Sequence, residues 1–110
     1  MIQIKVLATR DPQRRVQELC EALRSARIWK MSDRRCTKNL KLIHASGTVR
    51  GEIRRVNSDS VGELEFECTA KDAAQAAITA GRFVNLVLRD LESVSDIHIH
   101  RRSAGHRPAR

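Results

Sequence analysis

The sequence predicts an α+β domain: a four-stranded antiparallel sheet with two helices packed on one face. Three observations carry the prediction. Residues 2–8 and 62–69 alternate apolar and polar with period two, residues 12–27 and 70–92 carry apolar stripes at helical spacing, and these segments follow one another as βαββαβ. A chain of 110 residues suits one such domain. We assign it to residues 1–102, with 103–110 as a flexible basic tail.

Ile2, Ile4, Val6 and Ala8 share one side of the first strand, against Gln3 and Lys5. Asp11 offers a capping oxygen and Pro12 suits the first helical position, so a helix follows, its stripe being Val16, Leu19, Cys20, Leu23 and Ala26. Residues 28–41 lack periodicity and read as a long connection, with a short strand at Ile28–Met31. From Leu42 to Val56 β-branched residues mark the second main strand, in which Gly51 signals a bulge or a close approach. After the turn cluster Asn57-Ser58-Asp59-Ser60, Leu64, Phe66 and Cys68 alternate with Glu63, Glu65 and Glu67, completing a hairpin. Asp72 and Gln75 form a capping-box pair, although Thr69 competes as the cap. The long helix beyond carries Ala73, Ala77, Ala80, Val84, Val87 and Leu91 on one stripe. Ile97 and Ile99 alternate with His98 and His100 in the last strand.

This order resembles the ferredoxin-like split βαβ arrangement over residues 2–102. The resemblance implies spatial strand order 4-1-3-2 and leaves function open, because that architecture hosts many activities.

Function is read from charge. The chain carries +8, of which residues 22–56, with ten basic and two acidic side chains, hold +8 and residues 101–110 hold +4, while residues 57–100 hold −5. Such a local excess is the footprint of a polyanion binder; a solvated basic surface is the plainer reading. The expected contact residues are Arg24, Arg27, Lys30, Arg34, Arg35, Lys38 and Lys41 in the centre and Arg101 and Arg102 at the end. The open sheet face lacks the aromatic platforms of RNA-recognition sheets, and its glutamates, expected to pair with Lys5, Arg50 and Arg54, oppose phosphate there. Trp29 alone is a candidate stacking residue, with a core-edge position as its alternative. The expected function is therefore a non-enzymatic module that contacts a nucleic-acid backbone without strong sequence preference. An adaptor that binds an acidic partner protein is the alternative. The long helix also has a wider apolar arc than one sheet face needs, which marks Ala74, Ile78 and Leu88 as a homo-oligomer interface.

Other chemistry is weaker. His98-x-His100, with His44 as a third ligand, has metal-site spacing, but Lys5 is expected beside the pair, so neither metal nor cofactor is expected. Gly47, Val49, Gly51 and Arg55 look superficially like the phosphate loop of acylphosphatases. In that family the loop follows the first strand, whereas here it follows the first helix, leaving an acylphosphatase-like hydrolase a distant third reading. Cys36 beside Arg34, Arg35 and Lys38 favours thiolate. Cys20, Cys36 and Cys68 form no C-x-x-C pair and read as reduced thiols of a cytoplasmic protein. No secretory signal or apolar span is evident, so a soluble protein without membrane contact is expected.

Overall fold

The structure, a computed structural model, describes residues 1–8, 12–32, 40–46, 49–56, 63–91 and 94–101. Strand β1 (Ile2–Ala8) leads to helix α1 (Pro12–Ala26), strands β2 (Trp29–Met31), β3 (Lys41–His44), β4 (Gly51–Val56) and β5 (Glu63–Ala70), helix α2 (Ala73–Asp90) and strand β6 (Val94–Arg101). They build one antiparallel sheet in the order β2-β3-β4-β5-β1-β6.

The expected four-stranded ferredoxin-like sandwich is thus corrected: the sheet has six strands. The difference lies between residues 28 and 56. What reads as one strand from Leu42 to Val56 is two, because the chain turns after His44. There the Ala45 N–H donates to the Ile28 carbonyl (2.6 Å), the Ser46 N–H to His44 Nδ1 (3.1 Å) and the Val49 N–H to the Ser46 carbonyl (3.3 Å). β3 then pairs with β2 on one side and β4 on the other, which extends the sheet beyond β4.

Alternation decides which side of each strand is buried. Ile4, Val6, Leu42, Ile53, Leu64, Phe66 and Cys68 face the helices and are almost wholly buried together with Leu19 and Leu23 of α1 and Phe83, Leu86 and Val87 of α2. Phe83 sits at the centre, its ring 4.8 Å from that of Phe66 and 6.1 Å from that of Trp29, centroid to centroid. α1 packs on α2 and β2, while α2 crosses β4, β5 and β1 and touches β6 least. Asp72, rather than Thr69, caps α2 by accepting the Gln75 N–H (2.8 Å), but of the expected capping box only this half is seen, since Gln75 Oε1 accepts the Arg50 N–H. The close approach signalled by Gly51 lies between layers: β4 meets α2 there, with Thr79 filling the space a side chain at residue 51 would need.

Cys68 is buried, its thiol donating to the Ala76 carbonyl (3.4 Å), and burial pushes its pKa up to about 11. The unfolded chain ionises this thiol at lower pH than the folded one. Its contribution to stability is therefore complete below the ordinary thiol range and declines by about 1.4 kcal/mol per pH unit as pH rises toward about 11. Urea melts at pH 8, 9 and 10 test this: stability of Cys68→Ala is expected to fall less steeply than that of the wild-type chain.

Candidate polyanion-binding edge

α1 ends at Ala26, and the next residue, Arg27, has a φ of 58°, the left-handed conformation in which Gly is usual, with its N–H still reaching the Leu23 carbonyl (3.3 Å). This turn delivers the chain into β2. Arg24, in the last turn of α1, and Arg27 are both exposed there, where a cation also complements the helix C-terminus.

In β2 the alternation buries Trp29 and half-buries Met31, leaving Lys30 exposed on the open side of the sheet. Lys30 stands opposite Ile43, and Ile43 opposite Glu52. Beyond β2, Ser32 closes the pairing with β3: its N–H donates to the Lys41 carbonyl (3.0 Å) and its hydroxyl accepts the Lys41 N–H (2.8 Å). Lys41, exposed, stands opposite Arg54, also exposed. Arg27, Lys30 and Lys41 thus lie on or beside the two outermost strands, and Arg54 adjoins Lys41 from β4, the third strand in. β2 itself spans about 10 Å at the usual strand rise. Arg54 is the member that sequence reasoning missed, since only the β3–β4 register brings it beside Lys41.

The rest of the open face differs. Lys5 stands opposite Glu65 and Arg54 opposite Glu67, so two of the three expected pairings have matching register, but Arg54 lies closer to Glu52 along the strand (3.9 Å). Glu65 instead accepts from Gln3 Nε2 (2.6 Å). The Arg50 backbone N–H, just before β4, donates to Gln75 Oε1 (2.9 Å).

Of the other expected contact residues, Arg34, Arg35, Lys38 and Arg102 lie outside the described residues, as does Cys36. Arg101 is exposed on β6, at the opposite edge from β2. Five strand spacings separate the two edges, about 24 Å, so Arg101 and the β2 edge do not form one cluster. The stacking role considered for Trp29 is corrected: the ring is 4% exposed, held edge-on between His44 and Phe83, and its Nε1 has no hydrogen-bond partner among the described residues. Burial, then the positive charge of Arg82, lower the His44 pKa, and its Nδ1 accepts the Ser46 N–H, all of which favour the neutral imidazole.

His98 and His100 stand opposite Lys5 and Gln3 at the far edge from His44, and no group of three metal-ligating side chains converges among the described residues. The acylphosphatase-like segment places Gly51 inside β4 against Thr79; Gly47 lies outside the described residues. The reduced-thiol expectation is corrected at Cys20, which is disulfide-bonded, whereas Cys68 is free. Ala74, Ile78 and Leu88 are all exposed on α2, Leu88 at 66%. No helix among the described residues is long and apolar enough to cross a membrane. Compared with protein-family models, curated proteins and solved structures, the chain matches none.

Proposed function

We propose that the chain is a non-enzymatic module that binds a nucleic-acid backbone at its β2 edge without strong sequence preference. The observation that supports this reading is that Arg27, Lys30 and Lys41 are exposed on or beside the two outermost strands, with Arg54 of β4 next to Lys41. The segment between β2 and β3 adds Arg34, Arg35 and Lys38 to the same part of the chain. Long cationic side chains suit phosphate contacts, and Trp29, Phe66 and Phe83 are all buried, so none of these three rings offers bases a stacking platform.

Titration of labelled duplex DNA and single-stranded RNA at 50 and 200 mM salt tests it. If four or five phosphates are neutralised, affinity is expected to fall about a hundredfold or more over that range, with little dependence on base sequence. Binding that does not respond to salt contradicts the reading.

A second reading has its own observation: Ile28 (41% exposed) and Ile43 (50%) lie at the same edge, and apolar side chains suit an acidic protein partner better than a phosphate chain. Absence of nucleic-acid binding, with retention on an acidic protein surface, favours that adaptor role. A cytoplasmic location belongs to the proposal, and the Cys20 disulfide gives it a direct check. Chain trapped with an alkylating reagent as cells are opened would carry three free thiols if fully reduced, and fewer where Cys20 is bonded.

A further inference from the structure

The opposite edge of the sheet has a different character. β6 is its last strand, and among the described residues none pairs with its outer side. An open strand edge presents a row of unpaired N–H and C=O groups, which another strand satisfies. Proteins commonly guard such edges with Pro, bulges or charged side chains, Lys above all; β6 (Val94–Arg101) has neither Pro nor Lys, and its charges, Asp96 and Arg101, flank the Ile97–His100 run. Its pairing with β1 shifts register only between Leu7 and Ala8, leaving a regular run from Asp96 to Arg101.

The helix side of this edge is apolar and incompletely covered. Ile99, 54% exposed, lines with Ile2, Ala77, Gly81, Val84 and, at its end, the charged Arg101 an open groove of about 600 Å³. Leu88 continues the Ala77–Gly81–Val84 stripe at helical spacing. The adjoining residues 102–110 offer no large apolar side chain to fill the groove, being Arg, Ser, Ala, Gly, His and Pro only.

The sequence of the edge suits its own copy. In an antiparallel pair about a two-fold axis, residues on the same face stand opposite each other. Centred on His98, such a pair sets Ile97 opposite Ile99 of the second copy on the helix side and Asp96 opposite His100 of the second copy on the open side. A pair centred on Ile97 sets Ser95 against Ile99, and one centred on Ile99 sets Ile97 against Arg101, so both neighbouring registers lose the apolar match. We propose that β6 and the flanking face of α2 form a self-association edge, occupied by a second copy of this chain paired through β6 about His98. The two sheets then join into one of twelve strands. The basic β2 edges stand at its two ends, about 50 Å apart at the usual strand spacing, which would suit a bridging role. Dimerisation does not depend on the nucleic-acid reading, and a chain that dimerises without binding nucleic acid leaves this proposal standing.

Sedimentation of the full chain at low and high salt, with two variants, tests it. The wild-type chain is expected to dimerise more tightly at high salt, where repulsion between two chains of +8 is screened. Ile99→Lys places a charge on the edge and is expected to raise the dimer Kd about tenfold or more while its thermal melt stays close to wild type. His98→Cys is expected to form a disulfide-linked dimer under mild oxidation, whereas Ile97→Cys and Ile99→Cys, displaced from the axis, cross-link poorly. A wild-type chain that is monomeric at about 100 µM in both salts overturns the proposal. So does a dimer that tolerates Ile99→Lys and gives no His98→Cys cross-link, since that dimer uses another surface.

Discussion

Gly51→Ala is expected to destabilise the chain by about 2–4 kcal/mol, a large effect for a single methyl group. A Cβ at residue 51 would fall 2.6 Å from Thr79 Cβ and 2.8 Å from its Cγ2, and closer still to Oγ1. Thr79 cannot easily step aside. It is completely buried, and its hydroxyl donates to the Gln75 carbonyl (2.8 Å). The new methyl therefore pushes on the backbone of α2 and opens the seam between helix and sheet. Thr79→Gly removes the obstructing atoms at the cost of helix propensity, about 1 kcal/mol, plus lost packing. The double variant Gly51→Ala/Thr79→Gly is accordingly expected to be more stable than the sum of the two single changes, a coupling measurable by urea denaturation. Additive effects would mean that β4 and α2 are not in contact at this point.

Phe83→Ala is expected to cost about 3–5 kcal/mol, enough to unfold much of the population of a marginally stable small domain. Phe83 is wholly buried and joins Phe66 of the sheet centre to Trp29 of the added β2 strand. Its loss cuts the packing that fastens the β2–β3 hairpin to the core. Trp29 is the only tryptophan, so its emission reports on this junction. The variant is expected to show a red-shifted Trp29 spectrum at a denaturant concentration where wild type remains blue-shifted. Ile78→Ala, at an exposed position on the same helix, is the control and is expected to change stability by less than about 1 kcal/mol.

These expectations separate what the residues disclose from what only assembly discloses. β1, β5 and both helices are long enough for their periodicity to stand out, so their positions are legible. β2 is legible as the short strand at Ile28–Met31, whereas β3, of four residues, is not separable from β4. Trp29-Lys30-Met31 and Lys41-Leu42-Ile43-His44 each complete barely one period, so the sequence offers no partner for the first and runs the second on into β4. They become strands because a neighbour satisfies their backbone and because Trp29 has Phe83 to pack on. The candidate site follows the same logic. Charge counting finds Arg27, Lys30 and Lys41 but cannot see that Arg54 joins them through register, nor that Arg101 lies across the sheet. Trp29, conspicuous as a lone aromatic in a basic stretch, is drawn inward by an alternation too short to reveal it. Gly51 is visible as an anomaly in a strand, while its counterpart Thr79 is known only once α2 is laid over β4.

The reading as a whole rests on binding at the β2 edge, and one comparison addresses it most directly. Lys41→Glu and Arg101→Glu each lower the net charge by the same amount, but one lies at the β2 edge and the other at the β6 edge. Their affinities for a labelled duplex too short to engage two chains, measured by fluorescence anisotropy at 50 mM salt, should differ. Lys41→Glu is predicted to weaken binding about tenfold or more and to flatten its salt dependence, whereas Arg101→Glu weakens it by less than about threefold. Equal losses would mean that net charge rather than the β2 edge holds the nucleic acid, and a larger loss for Arg101→Glu would contradict the assignment outright.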